Sequence, residues 1–241
     1  MGMIDLEICL DDAGSLHAVQ VPEVSRIELC AALSVGGLTP SAGLMRQAAD
    51  SSVPVYAMIR PRAGDFVFAP DEEAIMLADI AVARESGLAG VVLGASRADG
   101  TLDEAMLSRL SDACGPLGRT LHRAFDLVPD PFAAMEAAIR LGFERILTSG
   151  GAPAASDGAG TLRALVQASA GRIDIMAGSG VRPENVAALL HETGVRAVHA
   201  SCRGRPIRYA ETVGALGFGA TRAAADPDVI RAFRAALRPF D

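Results

Sequence analysis

Arg26-Ile-Glu-Leu-Cys30 and Tyr56-Ala-Met-Ile-Arg60-Pro-Arg62-Ala-Gly-Asp65-Phe66 frame the stretch that decides the fold. Each opens as a run of apolar residues alternating with polar ones and then stops abruptly, the pattern of a short strand with one face in a core. Between them, Val35-Gly-Gly-Leu-Thr-Pro40 reads as a loop and residues 41–50 carry a helical pattern. The unit is therefore strand, loop, helix, strand. Glu28, Cys30, Arg60, Arg62 and Asp65 all fall where a strand gives way to a loop, and in parallel α/β folds that edge is where ligands bind.

Outward from this unit the same alternation recurs. Strands are predicted at 3–9, 26–30, 54–60, 90–94, 119–123, 145–149, 172–178 and 196–201, and helices at 41–50, 71–86, 102–113, 131–141, 161–170 and 183–193. Pro131 and Pro183 suit first helical positions, Asp130 is placed to cap, and Gly87, Gly142 and Gly194 follow helix ends. Eight strands alternating with helices at intervals of about 25 to 35 residues match an α/β TIM barrel, (β/α)8. An open doubly wound sheet would carry a Gly-rich fingerprint after its first strand, where Cys9-Leu-Asp-Asp-Ala-Gly14 stands instead. The expectation is one domain over residues 1–241, with a barrel core at about 3–203 and a tail at 204–241 that ends in an additional C-terminal helix at 227–237. The crossover at 11–25 is short and weakly helical, so an irregular connection is expected there.

Composition narrows the function. Half of the 241 residues are apolar but only 4% are aromatic, so the core must be filled by Ala, Val, Ile and Leu. The net charge of -7 is spread over interspersed acids and bases, which leaves no footprint for nucleic acid or an anionic membrane. No apolar run reaches the length of a membrane span and no basic segment precedes an apolar one at the start, so a soluble, cytoplasmic protein is expected. All 22 Lys and Arg residues are Arg. Schiff-base chemistry, pyridoxal phosphate linkage and a Walker A loop all need a lysine and are excluded.

Several motifs load the predicted strand ends. Gly178-Ser179-Gly180 follows the seventh strand, and Ser149-Gly150 follows the sixth. Such turns let backbone N–H groups approach an anion, and His199 and Ser201 lie at the neighbouring eighth strand. Arg60 and Arg62 are candidate partners for a phosphate or carboxylate. His122-Arg-Ala-Phe-Asp126 sets an imidazole and a carboxylate four residues apart, so His122, Asp126 and Asp65 are candidates for moving a proton. Glu7 and Glu28, deeper in their strands, read better as buried ion-pair partners.

The four cysteines lack the density of a disulfide scaffold or the spacing of a zinc motif, and free thiols are expected. Cys9 and Cys30 end neighbouring strands, and Cys202 follows the strand that closes on the first, so three thiols, with Met58 or His199 beside them, are candidate ligands for Cu(I). Cys114, at a helix end, reads as packing.

Leu6-Glu-Ile-Cys9, Arg26-Ile-Glu-Leu-Cys30-Ala-Ala, Gly36-Gly-Leu-Thr-Pro40-Ser, Ile59-Arg-Pro-Arg-Ala-Gly-Asp-Phe66, His122-Arg-Ala-Phe-Asp126, Ile146-Leu-Thr-Ser-Gly150 and Met176-Ala-Gly-Ser-Gly-Val-Arg-Pro-Glu-Asn185 together resemble the CutC family of copper-homeostasis proteins. The resemblance runs from Leu6 to Tyr209. It implies a cytoplasmic TIM barrel, self-associated as a homodimer or higher homo-oligomer, that binds copper as Cu(I) through cysteines at the positions of Cys9 and Cys30. Cys202 stands where a small residue such as Ala is expected in relatives, so a third thiol ligand would belong to this chain alone. The second reading is an enzyme acting on a small phosphorylated or carboxylated metabolite, which would employ Arg60, Arg62, Asp65, His122 and the glycine turns that a cuprous ion does not need.

Overall fold

The computed structural model describes residues 2–241. Eight parallel strands, β1 Asp5–Leu10, β2 Arg26–Leu29, β3 Val55–Met58, β4 Gly90–Leu93, β5 Gly118–Leu121, β6 Arg145–Thr148, β7 Asp174–Ala177 and β8 Ala197–Ala200, close into a barrel in chain order, with β8 paired back to β1. Seven helices follow the first seven strands: α1 Ala13–Ala18, α2 Ala42–Ala48, α3 Pro70–Glu85, α4 Glu104–Cys114, α5 Pro131–Arg140, α6 Ala159–Ser169 and α7 Val186–Thr193. The weak first crossover does form a helix, six residues long, because Asp12 caps it by accepting from the Ser15 N–H. Among the described residues no helix is long and apolar enough to cross a membrane.

The tail first makes a small two-stranded ribbon, β9 Ile207–Arg208 and β10 Thr221–Arg222, around the short helix α8 Glu211–Ala215. The expected C-terminal helix is α9 Pro227–Leu237, started by Asp226 as its cap with Pro at its first position. It takes the eighth place in the outer ring. The Asp226 N–H bonds to the Cys202 carbonyl just past β8, and at the other end Arg234 donates to the Ile4 carbonyl. The start of α9 thus lies level with the barrel mouth.

Alternation along the strands sorts the side chains. Leu6, Ile8, Ile27, Leu29 and Ala57 face outward into the main apolar layer beneath the helices. Glu7, Cys9, Arg26, Glu28, Tyr56, Met58 and His199 occupy the other face, and the register sets Glu7 opposite both Arg26 and His199 and Cys9 opposite Glu28. The interior floor is polar. Arg26 lies 4.0 Å above the Tyr56 ring, donates to Glu7 Oε2 at 2.5 Å and to Thr120 Oγ1 at 3.0 Å, and reaches Glu144 at 3.2 Å. Tyr56 in turn donates its hydroxyl to Glu144 at 2.6 Å. Gly90 and Gly118 make this possible, since a Cβ at either position would run into the Tyr56 ring. The reading of Glu7 as a buried ion-pair partner holds.

Candidate functional site

The carboxyl ends of the strands surround a cleft of about 1200 Å³, bordered on one side by the first turn of α9. One donor atom each from Cys9, Glu28 and His199 lie within 4.8 Å of one another at its base. His199 connects this cluster to the floor: its Nδ1 meets Glu7 Oε1 at 2.7 Å, and its Nε2 is 3.8 Å from Glu28 Oε2. A relay of Tyr56, Arg26, Glu7 and His199 therefore runs from the barrel floor to the mouth, and its last ring presents Nε2 to Cys9 and Glu28.

The charges in this relay are set by competition between burial and neighbours. Burial alone would push the Glu7 carboxyl up, but the Arg26 guanidinium and the His199 hydrogen bond hold it down at about 2. Burial would likewise push the His199 ring down, and its interactions with Cys9 and Glu28 and its hydrogen bond to Glu7 raise it well above the usual histidine range. Glu28 has no arginine in direct contact, burial raises it, and its Oε1 is left without a hydrogen-bond partner. Glu28 finds its ion-pair partner in the His199 ring, 3.8 Å away, and not in Arg26, whose side chain turns to Glu7 on the neighbouring strand.

The three thiols end differently. Cys9 lines the cleft. Cys30 is fully buried in a small cluster with Met58 and Val92, donates to Glu28 Oε2 at 3.4 Å, and is pushed up well above the thiol range by burial and then by Glu28. Gly37 covers it, and a Cβ there would stand 3.0 Å from the Cys30 sulfur. Cys202 borders the cleft with burial pushing it up to about 12. Cys114 is packing, as expected, with its thiol donating to the Leu110 carbonyl at 3.1 Å.

Of the other predicted residues, Arg60, His122, Asp126, Ser179, Gly180 and Ser201 line the cleft, whereas Arg62, Asp65, Ser149, Gly150 and Gly178 do not. Arg62 pairs with Glu72 and with the exposed Asp65, pinning the loop after β3 to the start of α3. Asp126 is saturated by Arg123, Thr148, Ser149 and the Gly151 N–H, which makes it the anchor of the loop after β6. A carboxylate so engaged has no oxygen to spare for proton transfer. Gly150 is needed for close approach, because a Cβ there would collide with the Gly158 backbone. Ser179 spends its hydroxyl on the Pro153 carbonyl, and α7 begins three residues later than Pro183 because Asn185 first ties off the turn through Arg182 and Gly180. The helix start is accordingly not aimed from Pro183 at the glycine turn.

His122 keeps its place at a strand end. Its Nδ1 accepts from the Ala124 N–H at 3.2 Å, its Nε2 finds no partner, and Gly94 just past β4 leaves the room it needs, as a Cβ there would lie 2.5 Å from the ring. Burial, with Arg60 nearby, lowers its pKa to about 3. Since the folded pKa lies below the unfolded value of 6.5, the neutral ring costs nothing above pH 6.5, and stability is lost as pH falls from there toward 3. Urea titrations of wild type and His122→Gln across that range are expected to show a shallower acid loss in the variant. Parallel curves would place the proton uptake elsewhere.

Phe66 was not anticipated. Its ring lies 4.7 Å from that of His122, with Arg60 4.9 Å away. Nothing in the sequence distinguishes it from an ordinary core aromatic.

A closed eight-stranded parallel barrel with a thiol, an imidazole and carboxylates gathered at its carboxyl mouth defines the chain as a TIM-barrel protein. The profile of the CutC family matches residues 4–204. Curated relatives named CutC include proteins of Rhizobium meliloti, 52% identical over 98% of this chain and 97% of that protein, and of Agrobacterium fabrum, 53% identical over 96% and 93%. A crystal structure described as the putative copper homeostasis protein CutC from Streptococcus agalactiae superposes with a TM-score of 0.80 at 35% identity, covering 83% of this chain and 99% of that one. The chain belongs to the CutC family of copper-homeostasis proteins.

Proposed function

We propose that the barrel mouth binds one Cu(I) ion as cargo, held first by Cys9 Sγ and His199 Nε2, and that the protein handles copper in the cytoplasm. The observation that carries this reading is the bond between His199 Nδ1 and the buried Glu7 carboxylate. A metal-binding imidazole characteristically gives its other ring nitrogen to a carboxylate, which fixes the tautomer and makes the free nitrogen a stronger ligand. Here that free nitrogen faces a thiol. Copper would take the place of the proton on Nε2, as ligand atoms must be deprotonated.

Sulfur and imidazole donors suit a cuprous ion, and Met58 supplies a thioether on the same side. Cys30 is the adjacent second sulfur and joins when its bond to Glu28 is released. Glu28 is a hard oxygen donor and serves as a neighbour rather than a preferred ligand. Four free cysteines fit a reducing compartment, where copper is cuprous.

Anaerobic competition against a chromogenic Cu(I) chelator tests the assignment. Wild type is expected to take up one equivalent, and Cys9→Ser to lose at least about a hundredfold in affinity, more than removal of an outer partner causes. Cys114→Ser should match wild type. Cys9→Ser binding copper as tightly as wild type would remove the site.

A further inference from the structure

Two strong donors in the cleft have no acceptor. Arg60 is buried, with its NH1 giving to the Val35 and Gly37 carbonyls at 2.9 and 3.0 Å and its NH2 to the Gly64 carbonyl at 2.7 Å, while its Nε bonds nothing. These partners are all neutral carbonyls, and no ion pair among the described residues includes this guanidinium. His122 is equally buried. Because its Nδ1 is already an acceptor, the neutral ring carries its hydrogen on Nε2, which also bonds nothing. Both side chains line the cleft and both pack against the Phe66 ring.

Buried polar groups are almost always paired, and a buried cation without a counter-charge is costly to keep. A cuprous ion satisfies neither group, since each is a donor, and it has no use for a cleft of about 1200 Å³. We infer that the mouth also binds a small organic oxyanion, a carboxylate or a phosphate ester, whose oxygens accept from Arg60 Nε and His122 Nε2 while its carbon body lies against Leu33, Val35 and Phe66. The ligand stands beside Cys9 and His199 and is independent of whether copper occupies them.

The inference is tested on copper-free, 15N-labelled full-length protein by following the Arg60 Nε–H and His122 Nε2–H resonances. Acetate and inorganic phosphate are titrated separately, with chloride at matched ionic strength as the control. Both resonances are expected to shift together and to saturate with at least one probe: a response to acetate alone marks a carboxylate ligand, and a response stronger with phosphate marks a phosphate ester. Arg60→Met should weaken the apparent affinity by about ten- to a hundredfold, the loss expected for a charged hydrogen bond. Shifts in only one resonance, shifts that fail to saturate or that chloride reproduces, or a folded Arg60→Met that binds as tightly as wild type would overturn the inference. The wild-type titration decides it even if Arg60→Met does not fold.

Discussion

Glu7→Gln is expected to lower stability by about 3–5 kcal/mol, the usual cost of removing one partner from a buried ion pair. Glu7 is wholly enclosed and, among the described residues, is the only carboxylate that bonds both Arg26, at 2.5 Å, and His199, at 2.7 Å. The amide keeps the shape and removes the charge, so Arg26 retains only the half-exposed Glu144 and loses its buried counter-ion. The same change should weaken Cu(I) binding by about 10- to 100-fold, because the carboxylate that orients His199 would be an outer partner of the proposed metal ligand. Chemical denaturation and chelator competition on one preparation read both effects. A variant as stable as wild type would mean that the floor and the mouth are not coupled through this residue.

Gly90→Ala is expected to cost about 3 kcal/mol or more, at the upper end for inserting a methyl group into a packed interior. A Cβ at this point on β4 would fall on the Tyr56 ring and 2.6 Å from the Gly118 carbonyl oxygen of β5. The ring cannot step aside, since Arg26 lies over it and Glu144 holds its hydroxyl. Strand pairing between β4 and β5 prevents the backbone from yielding. A thermal midpoint unchanged from wild type would show that the ring has another place to go.

The fold was legible because its signal is local. Each strand alternates, each stops at a loop, and the count of eight leaves few closed solutions. Helix caps such as Asp130, which accepts from the N–H groups of Phe132 and Ala133, follow from sequence in the same way. The site was legible only in part. That Glu7 and Cys9 share one face is a matter of alternation, and both do point inward. That Glu7 stands opposite His199, 192 residues away, depends on the register of the closing strand pair, which no local pattern records. The same limit explains Asp65 and Arg62. They lie in the loop after β3, as Arg60 does, but that loop turns them outward, where Arg62 pairs with Glu72 and Asp65, while Arg60 is drawn in by the Val35, Gly37 and Gly64 carbonyls. Cys30 illustrates a further gap, since alternation fixes its side of the sheet but not the turn at Gly37 that seals it against Glu28.

The central claim is that copper sits between one thiol and one carboxylate-oriented imidazole at the barrel mouth. Anomalous diffraction at the copper edge, from crystals grown anaerobically with one equivalent of Cu(I), tests it most directly. A single peak within bonding distance of both Cys9 Sγ and His199 Nε2 is the predicted result. A peak at Cys114 or on the outer surface, with the mouth free of copper, would contradict it.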